Sequence, residues 1–301
     1  MEKKADVSII TVNYNGLVDT LELIESLYSH LTISFEVIVV DNASVKDETI
    51  EIKQSYPDTV CIRSDINLGF AGGNNLGIRQ ASGKYLLMLN NDTIVKDDSL
   101  KYLIAFMDSD EKIGGVSPKI MYADSPDCIQ YAGATELSAI TLRNETIGLG
   151  ESDTGQYNTS RKTSFLHGAA MMIRREIIEK VGLMPELYFL YYEEIDWSTR
   201  IKKAGFELWY NPECVVYHKE SRSVGEESYT KVFYMTRNRM LYTWRNRRGV
   251  KRLLSLMYLW SVVSFRNTVR YIIKGKWKLL KAVFLGNIGF LTMSKKNRVS
   301  V

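Results

Sequence analysis

SIITVNYNG, residues Ser8–Gly16, is a β-branched apolar run that stops abruptly in polar residues. Val7–Val12 suits a strand, and Asn13-Tyr14-Asn15-Gly16 suits the turn that ends it. The same pattern recurs downstream in EVIVVDNAS (Glu36–Ser44), CIRSDINLGFAGGNN (Cys61–Asn75) and YLLMLNNDT (Tyr85–Thr93). Between the first two, Leu17, Leu21, Ile24, Leu27, Tyr28 and Leu31 recur at helical steps and form one apolar face. Helices are likewise expected over Asp47–Tyr56, Asn74–Ala81 and Asp97–Met107, and a short strand over Val60–Arg63. Strand alternating with helix in this way predicts an α/β fold: a mostly parallel sheet flanked by helices. Such sheets bind ligands beyond the carboxyl ends of their strands, so Asn13, Asp41, Asn67 and Asp92 should converge on one site.

The second half reads less cleanly. Ile113–Met121 and Cys128–Leu149 show no single period, and Gly, Ser, Thr and Asn crowd Thr141–Ser164, which predicts a mobile loop interrupting an ordered core. Phe165–Ile173 reads as a strand, and Arg174–Val181 and Glu193–Ala204 as helices closed by Gly182 and Gly205. Glu207–Tyr210 and Val215–Tyr217 read as two further strands.

Hydrophobic residues make up 45% of the 301 residues, enough for a substantial core. Cys61, Cys128 and Cys214 lack metal-type spacing and suit reduced thiols in a cytosolic protein. The N-terminal MEKKADVSIITV runs straight into a strand pattern, with no long apolar segment of the signal-peptide kind. The net charge of +4 conceals a division. Residues Lys231–Val301 hold 17 Lys or Arg and no acid, leaving 22 basic and 35 acidic residues in the first 230. An acidic body with a basic arm implies a meeting with an anionic surface.

Asn90-Asn91-Asp92 ends the most apolar strand. A carboxylate there more often starts a turn or caps the next helix, and can instead hold a hard divalent cation beside phosphate oxygens. Asp41, in the turn sequence DNAS, has a similar choice between turn and ribose partner. NLGFAGGNNLG (Asn67–Gly77) fits neither G-x-x-x-x-G-K-[ST] nor G-x-G-x-x-G, which argues against a P-loop ATPase and a dinucleotide-binding enzyme. Glu193, Glu194 and Asp196 open a helix behind the apolar Phe189–Tyr192. Acids at a helix start favour the macrodipole, whereas a carboxyl emerging from a buried approach suits a general base. Asp196 also sits at i,i+4 from Arg200, within pairing reach. His167 lies among small residues in FLHGAA, and His218 follows the strand VVY, as a core imidazole or a neutral ligand completing a metal site begun by Asp92.

The order and wording of these segments resemble family-2 glycosyltransferases of the GT-A fold, particularly the rhamnosyltransferase-like bacterial branch. SIITVNYNG, VVDNAS, NLGFAGGNN, LLMLNNDT, FLHGAAMMIRR and FLYYEEIDWSTRIKKAGFELWYNPECVVYH carry the match from Val7 to about Ser221. The resemblance implies an inverting, metal-dependent hexosyltransferase of polysaccharide biosynthesis, using a nucleotide-sugar donor such as dTDP-rhamnose or a UDP-sugar. It implies that Thr11, Asn13, Tyr14 and Asp41, with Asn15 beside them, hold base and ribose. Asn67, Gly69 and Asn74 would seat the nucleotide and sugar, and Asn90-Asn91-Asp92 would stand at the D-x-D element. Asp92 and His218 would then meet a divalent cation, Mg2+ or Mn2+. Glu194 falls at the catalytic-base position, with Glu193, Asp196, Trp197 and His167 on the acceptor side. Asn90 replaces the first acid of D-x-D, and Glu194 replaces the usual Asp, which leaves open which adjacent glutamate is the base. A nucleotidyltransferase, or a nucleotide-sugar-binding protein without turnover, is the alternative on a similar sheet.

Two units are expected: residues 1–222 as the transferase domain and 223–301 as a basic helical extension. Its longest apolar run, Leu253–Phe265, would reach about 20 Å as a helix, short of the roughly 30 Å hydrocarbon core. Eleven aromatics interleaved with Lys and Arg among Lys231–Val301 suit helices lying in an anionic headgroup region. Packing on the acidic body and nucleic-acid binding are the competing readings, the latter the weakest. The expected location is cytoplasmic, peripheral on the inner face of the cell membrane, with a glycan or lipid-linked acceptor.

Overall fold

A computed structural model describes residues 5–219 and 227–293. The expected unit boundary near residue 222 and the basic residues Lys295, Lys296 and Arg298 lie outside the described residues.

The first half follows the sequence pattern. Strands β1 (Val7–Asn13), β2 (Phe35–Asn42), β3 (Val60–Ser64) and β4 (Tyr85–Leu89) alternate with helices α1 (Leu17–His30), α2 (Thr49–Ser55) and α3 (Gly69–Gln80). The four strands pair in parallel, in the order β3-β2-β1-β4. Register sets Asn13 beside Asp41 and Asp41 beside Arg63, so their polar ends share one edge. All of β4 is buried, which fits a strand covered on both faces.

Helix α3 begins earlier than its sequence suggested, at Gly69 rather than near Asn74. Its glycines serve packing: a Cβ at Gly77 would overlap the Ile10 side chain of β1. Small residues let the helix lie close on the sheet, so this run, poor in helix propensity, is helical for a tertiary reason.

The second half adds β5 (Thr93–Ile94), α4 (Leu100–Ser109), β6 (Ile113–Tyr122), β7 (Ser125–Tyr131), β8 (Arg161–Lys162) and β9 (Ala170–Arg174). After α5 (Glu176–Val181) come α6 (Glu193–Lys203) and β10 (Glu207–His218). Strand β9 inserts antiparallel between β4 and β6, and β10 lies parallel to β6. The two strands expected at Glu207–Tyr210 and Val215–Tyr217 are one, with a register shift between Asn211 and Val215. Thr141–Ser164 is irregular in path but tied down: Lys119 Nζ reaches Asp153 (2.7 Å) and Asn158 (2.6 Å), and Tyr210 donates to the Tyr157 carbonyl (3.0 Å).

The extension forms α7 (Tyr229–Asn246), α8 (Gly249–Met257), a π-helical turn (Tyr258–Ser264), α9 (Phe265–Ile273) and α10 (Trp277–Thr292). It shares a core with the body, in which Leu142, Tyr188 and Tyr192 pack with Met240, Leu241, Tyr242, Leu259 and Phe290. No helix of the described residues is long and apolar enough to cross a membrane.

Candidate active site

The polar edge of β1, β2 and β3 is densely hydrogen-bonded. The buried Asn13 donates through Nδ2 to Asp41 Oδ1 (3.2 Å) and Glu48 Oε2 (2.7 Å), and its Oδ1 accepts from Thr20 Oγ1 (2.8 Å). Asp41, fully buried, accepts from Arg63 and from Ser44 Oγ. Asn15, with a left-handed φ of 52°, links the turns after β1 and β2: its N–H donates to Ser44 Oγ (2.8 Å), and its Oδ1 accepts from Val45 N–H (2.8 Å). Thr11 is buried with its hydroxyl oxygen unpartnered. Tyr14 is half exposed beside them, free to present its ring to a flat ligand.

Asn42 carries the next link, donating to Asn67 Oδ1 (3.2 Å) and the Gly69 carbonyl (3.1 Å) while accepting from Leu68 N–H (2.9 Å). Gly69 has a φ of +71° and lies under the Phe189 carbonyl, where any Cβ would collide. Phe70 N–H donates to that carbonyl (2.8 Å), joining the glycine-rich segment to the approach of α6. Asn74 turns inward and donates to the Phe70 carbonyl (2.9 Å).

A third cluster forms where β5 and β10 pair. His218 Nε2 lies 3.1 Å from Asp92 Oδ1 and 3.4 Å from Asn90 Nδ2. Its Nδ1 lies 2.8 Å from Gln130 Oε1, a contact that orients the ring with Nε2 toward Asp92. Asp92 Oδ2 is buried with no hydrogen-bond partner. Asn91 instead points to Thr20 Oγ1 (3.1 Å) and the Gly16 carbonyl (3.4 Å). His167 lies beside this cluster, its ring tilted 50° against Tyr131 with centroids 5.0 Å apart. Burial, then the charge of His218, holds it down to about 3, so it stays neutral and accepts Ala169 N–H (3.2 Å) at Nδ1.

The acidic segment splits. Glu193 is 2% exposed with Oε2 unpartnered, and burial, then the neighbouring Glu194 charge, raises its carboxyl well above 4.5. Glu194 is half-buried and pushed up to about 7 by desolvation, against backbone N–H groups that pull it back. Asp196 faces the extension, accepting from Arg245 Nε (2.7 Å) and Asn246 Nδ2 (2.8 Å) rather than meeting Arg200, which donates to the Val181 (3.0 Å) and Leu183 (2.6 Å) carbonyls. Trp197 is buried and donates to the Gly182 carbonyl (2.9 Å). Asp196 and Trp197 thus carry structural loads that the sequence pattern did not separate from acceptor contacts.

The approach to α6 is strained: Phe189, Tyr191 and Tyr192 take φ of 66°, 67° and 79°. The extension holds it there. Asn238 donates to the carbonyls of Tyr188 (3.0 Å), Leu190 (2.8 Å) and Tyr191 (2.8 Å), and Arg237 to those of Leu187 (3.1 Å) and Tyr188 (2.6 Å). Glu194 lines a cavity of about 400 Å³ between the Thr141–Asn144 loop and the extension. No strand-end residue lines that cavity; the Asn42–Gly69–Phe189 contacts connect the two sides. Ser44, Glu48, Arg63, Gln130, Arg237 and Asn238 escaped the sequence reading, although Arg63 ends a strand as Asp41 does.

Residues 8–182 match the model of glycosyl transferase family 2. A hexosyltransferase of low-salt glycan biosynthesis, Agl10 of Haloferax volcanii, is 30% identical over 209 residues, covering 67% of this chain and 64% of that protein. The N-acetylglucosaminyl-diphospho-decaprenol L-rhamnosyltransferase of Mycobacterium tuberculosis is 24% identical, covering 64% of this chain and 68% of that one. The chain spans less than two thirds of the length of Agl10 and only 26% of the uncharacterized protein y4gI of Sinorhizobium fredii. Among solved structures, GalNAc-T7 with UDP, GalNAc and Mn2+ superposes with a TM-score of 0.60 at 16% identity, covering 90% of this chain and 59% of that one. The mannosyltransferase PcManGT of Pyrobaculum calidifontis, in complex with GDP-Man and Mn2+, gives 0.56 at 16%, covering 98% and 78%. These likenesses show the GT-A fold. The strand-end motifs, the sheet they close and the family match together establish that this chain belongs to glycosyl transferase family 2.

Proposed function

We propose that this chain transfers a sugar from a nucleotide-diphosphate donor to an acceptor hydroxyl with inversion, Glu194 acting as general base. One observation carries the reading: Glu194, pushed up to about 7, borders a cavity large enough for an acceptor sugar. A carboxyl poised near neutrality has both the population and the basicity to take a hydroxyl proton. Attack on the anomeric carbon opposite the leaving diphosphate inverts its configuration in one displacement.

The donor belongs at the strand ends, with Tyr14 against the base and the Asn13–Asp41 network beneath the ribose. The Asp92–His218 pair fits a divalent cation, Mg2+ or Mn2+: Asp92 Oδ2 is a buried orphan, and His218 Nε2, 3.1 Å from Oδ1 of the same carboxylate, would be the nitrogen ligand beside it. Among the described residues no third His, Cys, Asp or Glu joins them, so water and diphosphate oxygens would complete the shell. The cation would offset negative charge gathering on the leaving group. In this reading Asn90 and Asn91 steer the same oxygens without adding charge.

The extension suits an anionic membrane surface. Trp260, Val262, Phe265, Ile273, Trp277 and Phe284 are each about half exposed or more, among Lys251, Arg266, Lys274 and Lys281. A peripheral seat on the inner membrane face would bring a lipid-linked acceptor within reach.

The test of the base is Glu194→Gln, expected to keep nucleotide binding and lose ~10²–10⁴-fold in turnover. Near-normal turnover would remove Glu194 from the role, and Glu193→Gln would then be the next variant to assay.

A further inference from the structure

A cavity of about 950 Å³ opens on the other side of α6 from Glu194 and shares no lining residue with the cavity that Glu194 borders. Asp196, Thr199, Arg200 and Lys203 form its α6 wall, at the i, i+3, i+4 and i+7 positions of one helix face. The end of α7, the Arg247-Arg248 turn into α8, and Glu136 and Leu137 of the loop before β8 face them.

Charge sets this cavity apart: eight Lys or Arg line it against two carboxylates, a net of +6. Both carboxylates are engaged, Asp196 by Arg245 (2.7 Å) and Glu136 by Lys202 (2.5 Å), and Lys180 has Glu176 at 3.9 Å. Among the described residues no carboxylate pairs with the other five, Arg200, Lys203, Arg247, Arg248 and Lys251. Lys203 donates to the neutral Asn246 (3.0 Å), and the Nε atoms of Arg200 and Arg247 are buried without a hydrogen-bond partner.

Helix ends account for part of this charge. Helices α5, α6 and α7 all finish at the cavity, and each carbonyl end presents roughly −0.5 at most. About +3.5 of the five unpaired charges therefore remains. The crowding is felt at Lys203: burial first, then Arg247, Arg248 and Arg245 against the pull of Asp196, lower its ammonium from the ordinary value. Neither the donor edge nor the membrane reading uses these cations. Asp41, Asp92 and His218 do not line the cavity, and none of its lining residues is an exposed large apolar side chain.

We propose that this cavity is a second ligand site, for a small water-soluble anion carrying two or more linked phosphate groups. One phosphate group brings about −1.5 to −2 at pH 7, so the remaining charge matches at least two. Lys203, Arg248 and Lys251, exposed at the rim, meet its oxygens through charge-assisted hydrogen bonds, and Arg247 adds its field beside them. The bound anion ties α6, the helix that carries Glu194, to the turn between α7 and α8. Binding to the folded chain therefore stabilises it by mass action. The site stands whether or not Glu194 is the base.

The probe is tripolyphosphate, titrated calorimetrically into the full chain in buffer freed of divalent metal, where no cation holds it at Asp92. It should bind, and the melting temperature should climb with its concentration; no binding would overturn the proposal. Arg248→Gln/Lys251→Gln, both at exposed positions, should weaken it ~10-fold or more, the scale of lost charge-assisted contacts, and abolish the rise in melting temperature. Lys274→Gln/Lys281→Gln removes the same charge elsewhere on the extension and should bind as the parent does. Equal weakening by the two pairs would reveal a diffuse field rather than a site, and unchanged affinity in the first pair would place the probe elsewhere; either result refutes the assignment. Inorganic phosphate should bind at least ~10-fold more weakly, and parity with tripolyphosphate would remove the requirement for linked phosphates. If the first pair instead lost only its binding to phosphatidylcholine vesicles carrying phosphatidic acid, the cations would serve a membrane and the soluble ligand would fall.

Discussion

Asn238 tests how the extension serves catalysis. It is fully buried in α7, and its amide donates to the carbonyls of Tyr188, Leu190 and Tyr191 just before the glutamates. Asn238→Asp keeps the shape, removes the donors and turns an oxygen toward three carbonyls. The Tyr188 carbonyl retains Arg237 (2.6 Å), so Leu190 and Tyr191 bear the loss. A buried carbonyl left unpaired costs ~1–3 kcal/mol, or about 2–6 kcal/mol for both. Relaxation of left-handed residues, each storing ~1–3 kcal/mol, returns part of that, leaving about 2–4 kcal/mol of destabilisation. The chemical effect should exceed the stability effect. Once Phe189–Tyr192 relaxes, Glu194 moves, and a displacement of about 1 Å costs ~10²-fold in turnover. Urea unfolding, initial rates and nucleotide titration on one preparation separate these terms. Turnover near that of the parent protein, with less than ~1 kcal/mol lost, would refute the idea that α7 sets the position of the base.

Four further outcomes follow from the site. As the proposed base, Glu194 would work deprotonated, and its carboxyl is pushed up to about 7, so turnover should rise with pH to a plateau above neutrality. An acidic limb near the ordinary 4.5 would contradict its placement. The folded state holds the Glu193 proton more tightly than the unfolded chain does, so its contribution to stability is full below 4.5 and is lost as pH rises through the folded value. Glu193→Gln should therefore raise the melting temperature more at pH ~8 than at pH ~4, and an equal shift at both would oppose this sign. Asp92→Asn should abolish the tightening of UDP or dTDP binding by Mn2+; if the tightening survives, the cation lies elsewhere. The full chain should float with anionic liposomes and stay behind with neutral ones, less so with salt and after Trp260→Ser/Phe265→Ser; absence from both would end the membrane reading.

The sheet was legible because its signal is local. Val7–Val12 and Val37–Val40 are β-branched runs that end in polar turns, and a parallel strand buried on both faces has few other ways to be written. The strand-end residues followed, since topology gathers those ends on one edge whatever the sequence between them. Legibility failed where a distant partner sets the outcome. Gly69–Gly73 reads as loop, yet it is the first part of α3, whose glycines at 73 and 77 leave no room for a Cβ against Val12 and Ile10 of the sheet. Asn211–Cys214 interrupts a pattern without interrupting its strand.

The acidic segment shows the same limit at the site. Glu193, Glu194, Asp196 and Trp197 are near neighbours in the chain, and no periodicity says which faces a cavity and which anchors a helix. That depends on α7, whose Arg245 and Asn246 claim Asp196 from 49 and 50 residues away.

Sequence by itself determined the layered fold, the family and the polar edge, because strand ends and hydrophobic period are encoded within a few residues. Tertiary structure alone decided the raised carboxyl of Glu194, the orphaned oxygen of Asp92 and the cation-lined cavity. Each arises from desolvation or from the meeting of distant side chains, and both exist only once the chain has packed.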